Sequence, residues 1–300
     1  MSVLRHLAFI LEGGTVIPAG NLVARLPWRV GGSLARLAGR LLFLAAPKAR
    51  RQACENLDVI FGVGALSPEE KSRIVRNLFI HLASSALEYL KIGELTLENY
   101  HRFIHVENPE ARERVRGILE EGKGMIAVTA HVGNWEFMAR AAALEGFSVA
   151  AVIHRQLNPY TDRWLANIRR YRASVEAFYD DPRGLKRTIH HLKNNGLLAL
   201  VADEARASNP LRIPFFGRLA SVADGPAKLH LRYGSPLVFL FCPRGADGRY
   251  ILSFDGPYRF ESKGDRRKDR LEVMKFIFSK YEDIIRKHPD QWFCLPRPWR

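Results

Sequence analysis

In the stretch IAVTAHVGNWEFM, Ile126 to Met138, His131 closes a run of small and β-branched apolar residues, and Glu136 stands five positions after it. An imidazole and a carboxylate can together do general acid–base chemistry. A carboxylate bonded to one ring nitrogen fixes the tautomer and raises the basicity of the other. Such a base takes the proton from a hydroxyl while that hydroxyl attacks an acyl carbon. The chain has no Gly-x-Ser-x-Gly elbow, so a covalent serine route is not signalled. A histidine at a strand end is often only a hydrogen-bonded structural residue, so this pair alone does not decide the function.

Positions five apart on one helix point about 140° away from each other, so the two side chains can meet only across a corner of the fold. The elements that would make the corner are legible. Residues 125–130 read as a buried strand, Gly133 allows a tight turn, and a helix begins near Asn134 with Glu136 in its first turn. His131 is then just past the carboxyl end of a strand, where open α/β sheets place ligands. Further apolar runs at 147–153, 197–202 and 236–242 alternate with helix-like stretches at 134–145, 159–173, 183–194 and 224–233. That alternation is the pattern of strands joined by crossover helices. A later strand is expected in GRYILSFDGP, and a charged terminal helix over 265–287. Upstream, Ser67, Pro68 and Glu70 form a capping box before a long helix, and residues 108–121 form another that Gly122 stops. The expected fold is α/β: a single domain, residues 67–300, with a central mostly parallel sheet flanked by helices. A helical, membrane-associating extension, residues 1–66, is expected to precede it.

Composition narrows the partners. The 300 residues are 47% hydrophobic, enough for a sizeable core, and carry a net charge of +15. Such a field favours nucleic acid, anionic lipid or an acidic protein. No compact run interleaves aromatic with basic residues, which weighs against nucleic acid. Cys54, Cys242 and Cys294 lie far apart and signal neither a zinc site nor a disulfide framework. No apolar run reaches bilayer length, and Glu12 and two glycines cut the N-terminal one, so neither a span nor a signal peptide is expected. Arg25, Arg29, Arg36 and Arg40 fall on one stripe of a helical wheel, beside an apolar face of Leu26, Val30, Leu34, Leu37, Leu41 and Leu44. Such a helix either lies in a membrane interface, with Trp28 near the headgroups, or packs on the domain with its arginines in water. Pro27 and the Gly31-Gly32 pair argue against one straight helix.

HVGNWE resembles the His-x4-Asp/Glu motif of glycerolipid-type acyltransferases. It is most similar to the lipid A late acyltransferase branch, which also includes mycobacterial phosphatidylinositol mannoside acyltransferases. Further blocks agree in order and spacing: HRQLNPYTDRWLANIRR from His154, GLLALVADEA from Gly196, IPFFGRLASVADGPAKLHLRYGSPLV from Ile213 and HPDQWFCLPRPW from His288. The resemblance covers about residues 70–299. It departs from the family at Glu204, where Gln is usual, and at Cys294 and Pro296 in the tail.

The resemblance implies an O-acyltransferase at the cytoplasmic face of the inner membrane, with anionic lipids as surroundings. It would move an acyl chain from acyl carrier protein or coenzyme A to a hydroxyl of a lipid A precursor or other glycolipid. An acyl-CoA-dependent transferase acting on a phosphatidylinositol mannoside is the alternative. A basic binding protein without catalysis is a distant one. The same base could also activate water, which would make a thioester hydrolase. The implied chemistry needs no metal and no cofactor beyond the thioester co-substrate. His131 would be the base and Glu136 its orienting carboxylate. Asn134 stands at the helix start, where backbone N–H groups would steady an oxyanion. Arg155 and Arg170 would bind phosphates. Asp203 would sit at another strand end beside the same cleft, and Phe215, Phe216 and Gly217 would shape its wall.

Overall fold

The expected apolar runs pair as strands, and most expected helices join them. The computed structural model describes residues 3–204, 210–293 and 299; Cys294 and Pro296 lie outside them. Three helices lead: α1 (Val3–Ala24), α2 (Trp28–Ala45) and α3 (Pro47–Phe61). Then come α4 (Pro68–Leu90), β1 (Ile104–Val106), α5 (Pro109–Leu119), β2 (Met125–Thr129), α6 (Trp135–Leu144), β3 (Val149–Ile153) and α7 (Pro159–Asn167). The last of these runs on as a π-helical turn, Ile168–Arg172. The chain continues through β4 (Glu176–Tyr179), α8 (Pro182–Lys193), β5 (Leu197–Val201) and a hairpin of β6 (Leu211–Phe215) and β7 (Arg218–Val222). It ends in α9 (Gly225–Tyr233), β8 (Leu237–Phe241), β9 (Tyr250–Tyr258) and α10 (Arg266–Lys287). The Ser67 capping box forms as expected: Glu70 N–H donates to Ser67 Oγ at 3.1 Å, and Ser67 N–H to Glu70 Oε2 at 2.8 Å.

The main sheet has the order β1-β9-β8-β2-β5-β3-β4, parallel throughout except for the β8–β9 pair. Side chains of β2 alternate between two cores, as period two requires. Ile126 and Val128 face a core shared with Phe215, Phe278 and Tyr281, while Met125 and Ala127 face one shared with Phe137, Val115 and Ile92. Ala53, Leu57 and Ile60 of α3 belong to the first core, so the N-terminal helices are anchored in the sheet domain itself. Strands β1 and β4 and the β6–β7 hairpin were not expected. The first two have only three and four residues, and the hairpin turns on Phe-Phe-Gly rather than an Asn-Gly pair.

Helix α2 packs on the domain through α4 with its arginines exposed, but not through its leucine face. Its buried residues are the small ones, Gly31, Ala35 and Gly39. A Cβ on Gly39 would lie 2.5 Å from Ile80 Cα and 2.7 Å from the Phe79 carbonyl oxygen, so α2 and α4 touch backbone to backbone there. Turning the small residues inward turns the leucines outward. Leu34, Leu37 and Leu41 are 45%, 53% and 56% exposed, and Arg29, Arg36 and Arg40 are exposed beside them. The break between α1 and α2 falls at Pro27, while Gly31 and Gly32 stay helical. Buried Lys91 secures that break by donating to the carbonyls of Ala24 and Leu26 at 2.8 and 2.7 Å. No helix among the described residues is long and apolar enough to cross a membrane.

Candidate active site

Strand register assembles the centre. β2 and β5 are parallel neighbours with Thr129 opposite Val201. Two residues past each strand end, the same register brings His131 opposite Asp203. Asp203 Oδ1 lies 2.7 Å from His131 Nδ1. Its Oδ2 accepts the His131 backbone N–H at 3.0 Å and the Trp292 indole N–H at 2.8 Å. The carboxylate is fully buried. Burial alone would raise its pKa, but the adjoining imidazole and these hydrogen bonds outweigh burial and hold it below the usual carboxylate range. With Nδ1 donating to Asp203, a neutral ring carries its lone pair on Nε2.

The turn that carries His131 is held from behind. The His131 carbonyl accepts the Phe293 N–H at 2.8 Å, and Gly133 N–H donates to the Gln291 carbonyl at 3.1 Å. Gly133 has φ +68°, and a Cβ there would fall 2.1 Å from the Cys242 carbonyl oxygen, so the corner admits only glycine. The indole of Trp135 meets the His131 ring edge-on at 4.8 Å.

Glu136 does not supply the carboxylate on His131 Nδ1; Asp203 does. The first turn of α6 directs Glu136 to the π-helical turn, where Arg169 Nε donates to its two oxygens at 3.0 and 3.2 Å. The Arg169 and Glu136 side chains are only 20% and 14% exposed. Burial disfavours the Arg169 charge, but Glu136 and Tyr89 more than offset it, and its pKa is pushed up. His131, Glu136 and Arg169 all line one cleft, of about 390 Å³.

That cleft exists because the sheet splits. β3 and β5 pair only from Val149 opposite Leu197 to Ala151 opposite Ala199. Beyond that point β3 stays with β4 and β5 stays with β2. Val152 and Ile153 line one side of the gap, and Leu200, Val201 and Ala202 the other. Met138, Leu185 and Leu229 extend the apolar lining, and His154, Tyr179, Asp180 and Glu204 add polar groups. A slot of mixed apolar and polar lining thus opens at the carboxyl edge of the sheet beside half-buried His131 and its buried partner Asp203.

The other expected residues are placed differently. Asn134 caps α6, accepting the Phe137 N–H at 3.0 Å, and its amide donates to Glu88 Oε2 at 3.0 Å. It is buried within a Glu88–Arg244–Tyr250 network and does not face the cleft. The backbone N–H groups of Gly133 and Asn134 are bonded to the carbonyls of Gln291 and Cys242, so they are engaged in holding the turn rather than facing an oxyanion. Arg155 is at the rim, 4.0 Å over the Tyr179 ring and 3.1 Å from Asp181. Arg170 is half exposed, 3.5 Å from Glu176. Phe215 and Phe216 are buried in an aromatic cluster with Trp292 and Trp299 and do not line the cleft; Gly217 completes their turn at φ +73°. They join a core because β6 packs against α10 and Phe215 meets Phe278 of that helix. Arg169, which the sequence does not single out, is the arginine of this π turn that meets Glu136. Trp292, in the HPDQWFCLPRPW block, is a further residue of the centre, and no local pattern in the sequence marks its bond to Asp203.

The family model described as bacterial lipid A biosynthesis acyltransferase matches residues 4–300. No curated protein matches the sequence.

Proposed function

Since the chain belongs to the bacterial lipid A biosynthesis acyltransferase family, we propose that it moves a fatty acyl chain from an acyl thioester to a hydroxyl of a lipid A precursor or related glycolipid. The thioester is carried by acyl carrier protein or coenzyme A. The observation that carries this reading is half-buried His131 paired with fully buried Asp203 at a slot lined in part by apolar strand ends.

The chemistry follows from the tautomer. His131 Nε2 takes the proton of the acceptor hydroxyl as its oxygen attacks the thioester carbonyl. Asp203 stabilises the imidazolium that forms, as the carboxylate of a triad does. The tetrahedral intermediate collapses, the carbon–sulfur bond breaks, and the imidazolium returns the proton to the leaving thiolate. The products are an ester and a free thiol. The acyl chain lies in the gap between β3 and β5, where apolar contact replaces its contact with water. The positive end of α6, which begins four residues after His131, favours negative charge developing at this edge. Arg169, held by Glu136, adds a fixed cation to the same cleft. The outward leucines of α2, with the arginines beside them, hold the protein to the inner leaflet, where the acceptor is found. The +15 charge suits both anionic lipid and an acidic carrier.

The test is product analysis. Purified protein receives acyl carrier protein and coenzyme A thioesters with a panel of glycolipid acceptors, and free fatty acid is counted separately. An acylated lipid identifies donor and acceptor. Free acid alone, at every acceptor, would contradict transfer and point to hydrolysis.

A further inference from the structure

We propose that Trp292 is a positioning residue of the catalytic pair, its indole N–H holding Asp203 so that the opposite carboxylate oxygen faces His131. The proposal rests on the functional reading above, in that it assigns Trp292 a part in the same centre.

Rotation of an aspartate about its last torsion is soft, so one hydrogen bond does not fix the carboxylate plane. Oδ2 of Asp203 has two donors, from different parts of the chain: the His131 backbone N–H at 3.0 Å and the Trp292 indole at 2.8 Å. Together they leave Oδ1 aimed at Nδ1, 2.7 Å away. A hydrogen bond to a buried ionised group is stronger than a neutral one, and this indole is itself buried. The indole is in turn fixed at both ends. Its backbone bridges Val132 antiparallel, one residue from His131. Its ring packs against Phe215, Phe216 and Trp299 at 6.0 to 6.4 Å between centroids. The aromatic hairpin is therefore the seat of the indole. It reaches the chemistry through Trp292 and Asp203, not through substrate.

Few charged groups compete for this control. Asp203 is faced by His131 and by Tyr281, whose pKa the carboxylate helps to raise after burial. His131 shares its cleft with Glu136, Arg169, His154, Asp180 and Glu204. Trp292→Phe keeps an aromatic ring and removes only the donor. A carboxylate with one donor fewer is more basic and holds the imidazolium proton more tightly, so the acid limb of kcat/KM moves to higher pH. A packing defect alone would leave that limb in place.

The experiment combines turnover with a readout independent of it. Trp292→Phe, Asp203→Asn and the double variant are assayed for acyl transfer, and the His131 ring is titrated by NMR in the wild type and in Trp292→Phe. We expect Trp292→Phe to lower kcat on the order of tenfold, with KM for the thioester nearly unchanged. The apparent pKa of His131 should rise. The substitution should have little further effect once Asp203 is asparagine. Trp292→His, which keeps a ring N–H, should recover part of the loss and serves if the phenylalanine variant does not fold. An unchanged His131 titration, or the same loss in the Asp203→Asn background as in the wild type, would overturn the assignment. A wild type that titrates as described but transfers no acyl group would overturn the functional reading alone.

Discussion

Replacing Leu34, Leu37 and Leu41 with glutamine should release the protein from lipid vesicles and leave its fold intact. The three side chains are 45%, 53% and 56% exposed, so together they present about one and a half leucines of open apolar surface. At about 2 kcal/mol for each fully buried leucine, inserting that surface into lipid is worth about 3 kcal/mol, or ~150-fold in partitioning. Glutamine has nearly the helix propensity of leucine, and the positions face away from α4, so unfolding should be little affected. Co-sedimentation with vesicles of stated anionic content measures the partitioning, and circular dichroism the melting. Binding undiminished by the triple substitution would refute the argument that these leucines are a lipid-facing surface. A large fall in Tm would refute it differently, by showing that they are packed.

Other predictions follow from single contacts. Gly39→Val should lower Tm markedly, because its Cβ meets α4 backbone at 2.5 Å and overpacking costs about 1–3 kcal/mol; an unchanged melt would mean that α2 is not docked as described. Glu136→Gln should destabilise by about 2 kcal/mol in chemical denaturation, less than the loss from a fully buried pair because a fifth of Arg169 remains exposed. His230 is buried, its Nδ1 2.8 Å from the Ser235 carbonyl and its Nε2 accepting the Phe260 N–H at 2.8 Å. Burial lowers its pKa despite the hydrogen bonds at both nitrogens. Its contribution to stability is complete above the unfolded value near ~6.5 and is lost as pH falls from there toward the folded pKa. Urea midpoints should therefore drop from pH 8 to pH 5.5, and His230→Gln should flatten that slope. Same-signed contributions from His81 and His288, whose pKa values burial also lowers, should persist.

The chain announces its chemistry more clearly than its geometry. The strand ending at Ala130, the glycine corner at Gly133 and the helix from Trp135 are all readable, because each rests on local pattern and backbone conformation. Asp203 is readable as a strand-end residue near the cleft. Its bond to His131 is not, because that depends on β5 lying beside β2 although two strands and three helices separate them in the chain. The carboxylate nearest in sequence, Glu136, was the natural choice for the imidazole, yet a π turn two elements away claims it. The apolar face of α2 is legible in the sequence, but whether that face packs is not. Helical periodicity locates an apolar face, but backbone contact through Gly31, Ala35 and Gly39 decides which face packs. Phe215 and Phe216 are placed by a hairpin too short and too atypical to recognise.

The central claim is that His131 acts as a base governed by Asp203, and single-turnover acyl transfer tests it most directly. Wild type, His131→Ala, Asp203→Asn and Glu136→Gln are compared on one thioester and one glycolipid acceptor, with thermal melts confirming that each is folded. The account predicts background transfer for His131→Ala and a loss of roughly 10²–10⁴-fold for Asp203→Asn. Glu136→Gln should lose less than Asp203→Asn. Transfer by Asp203→Asn at the wild-type rate, with Glu136→Gln inactive, would contradict it and return the carboxylate role to Glu136.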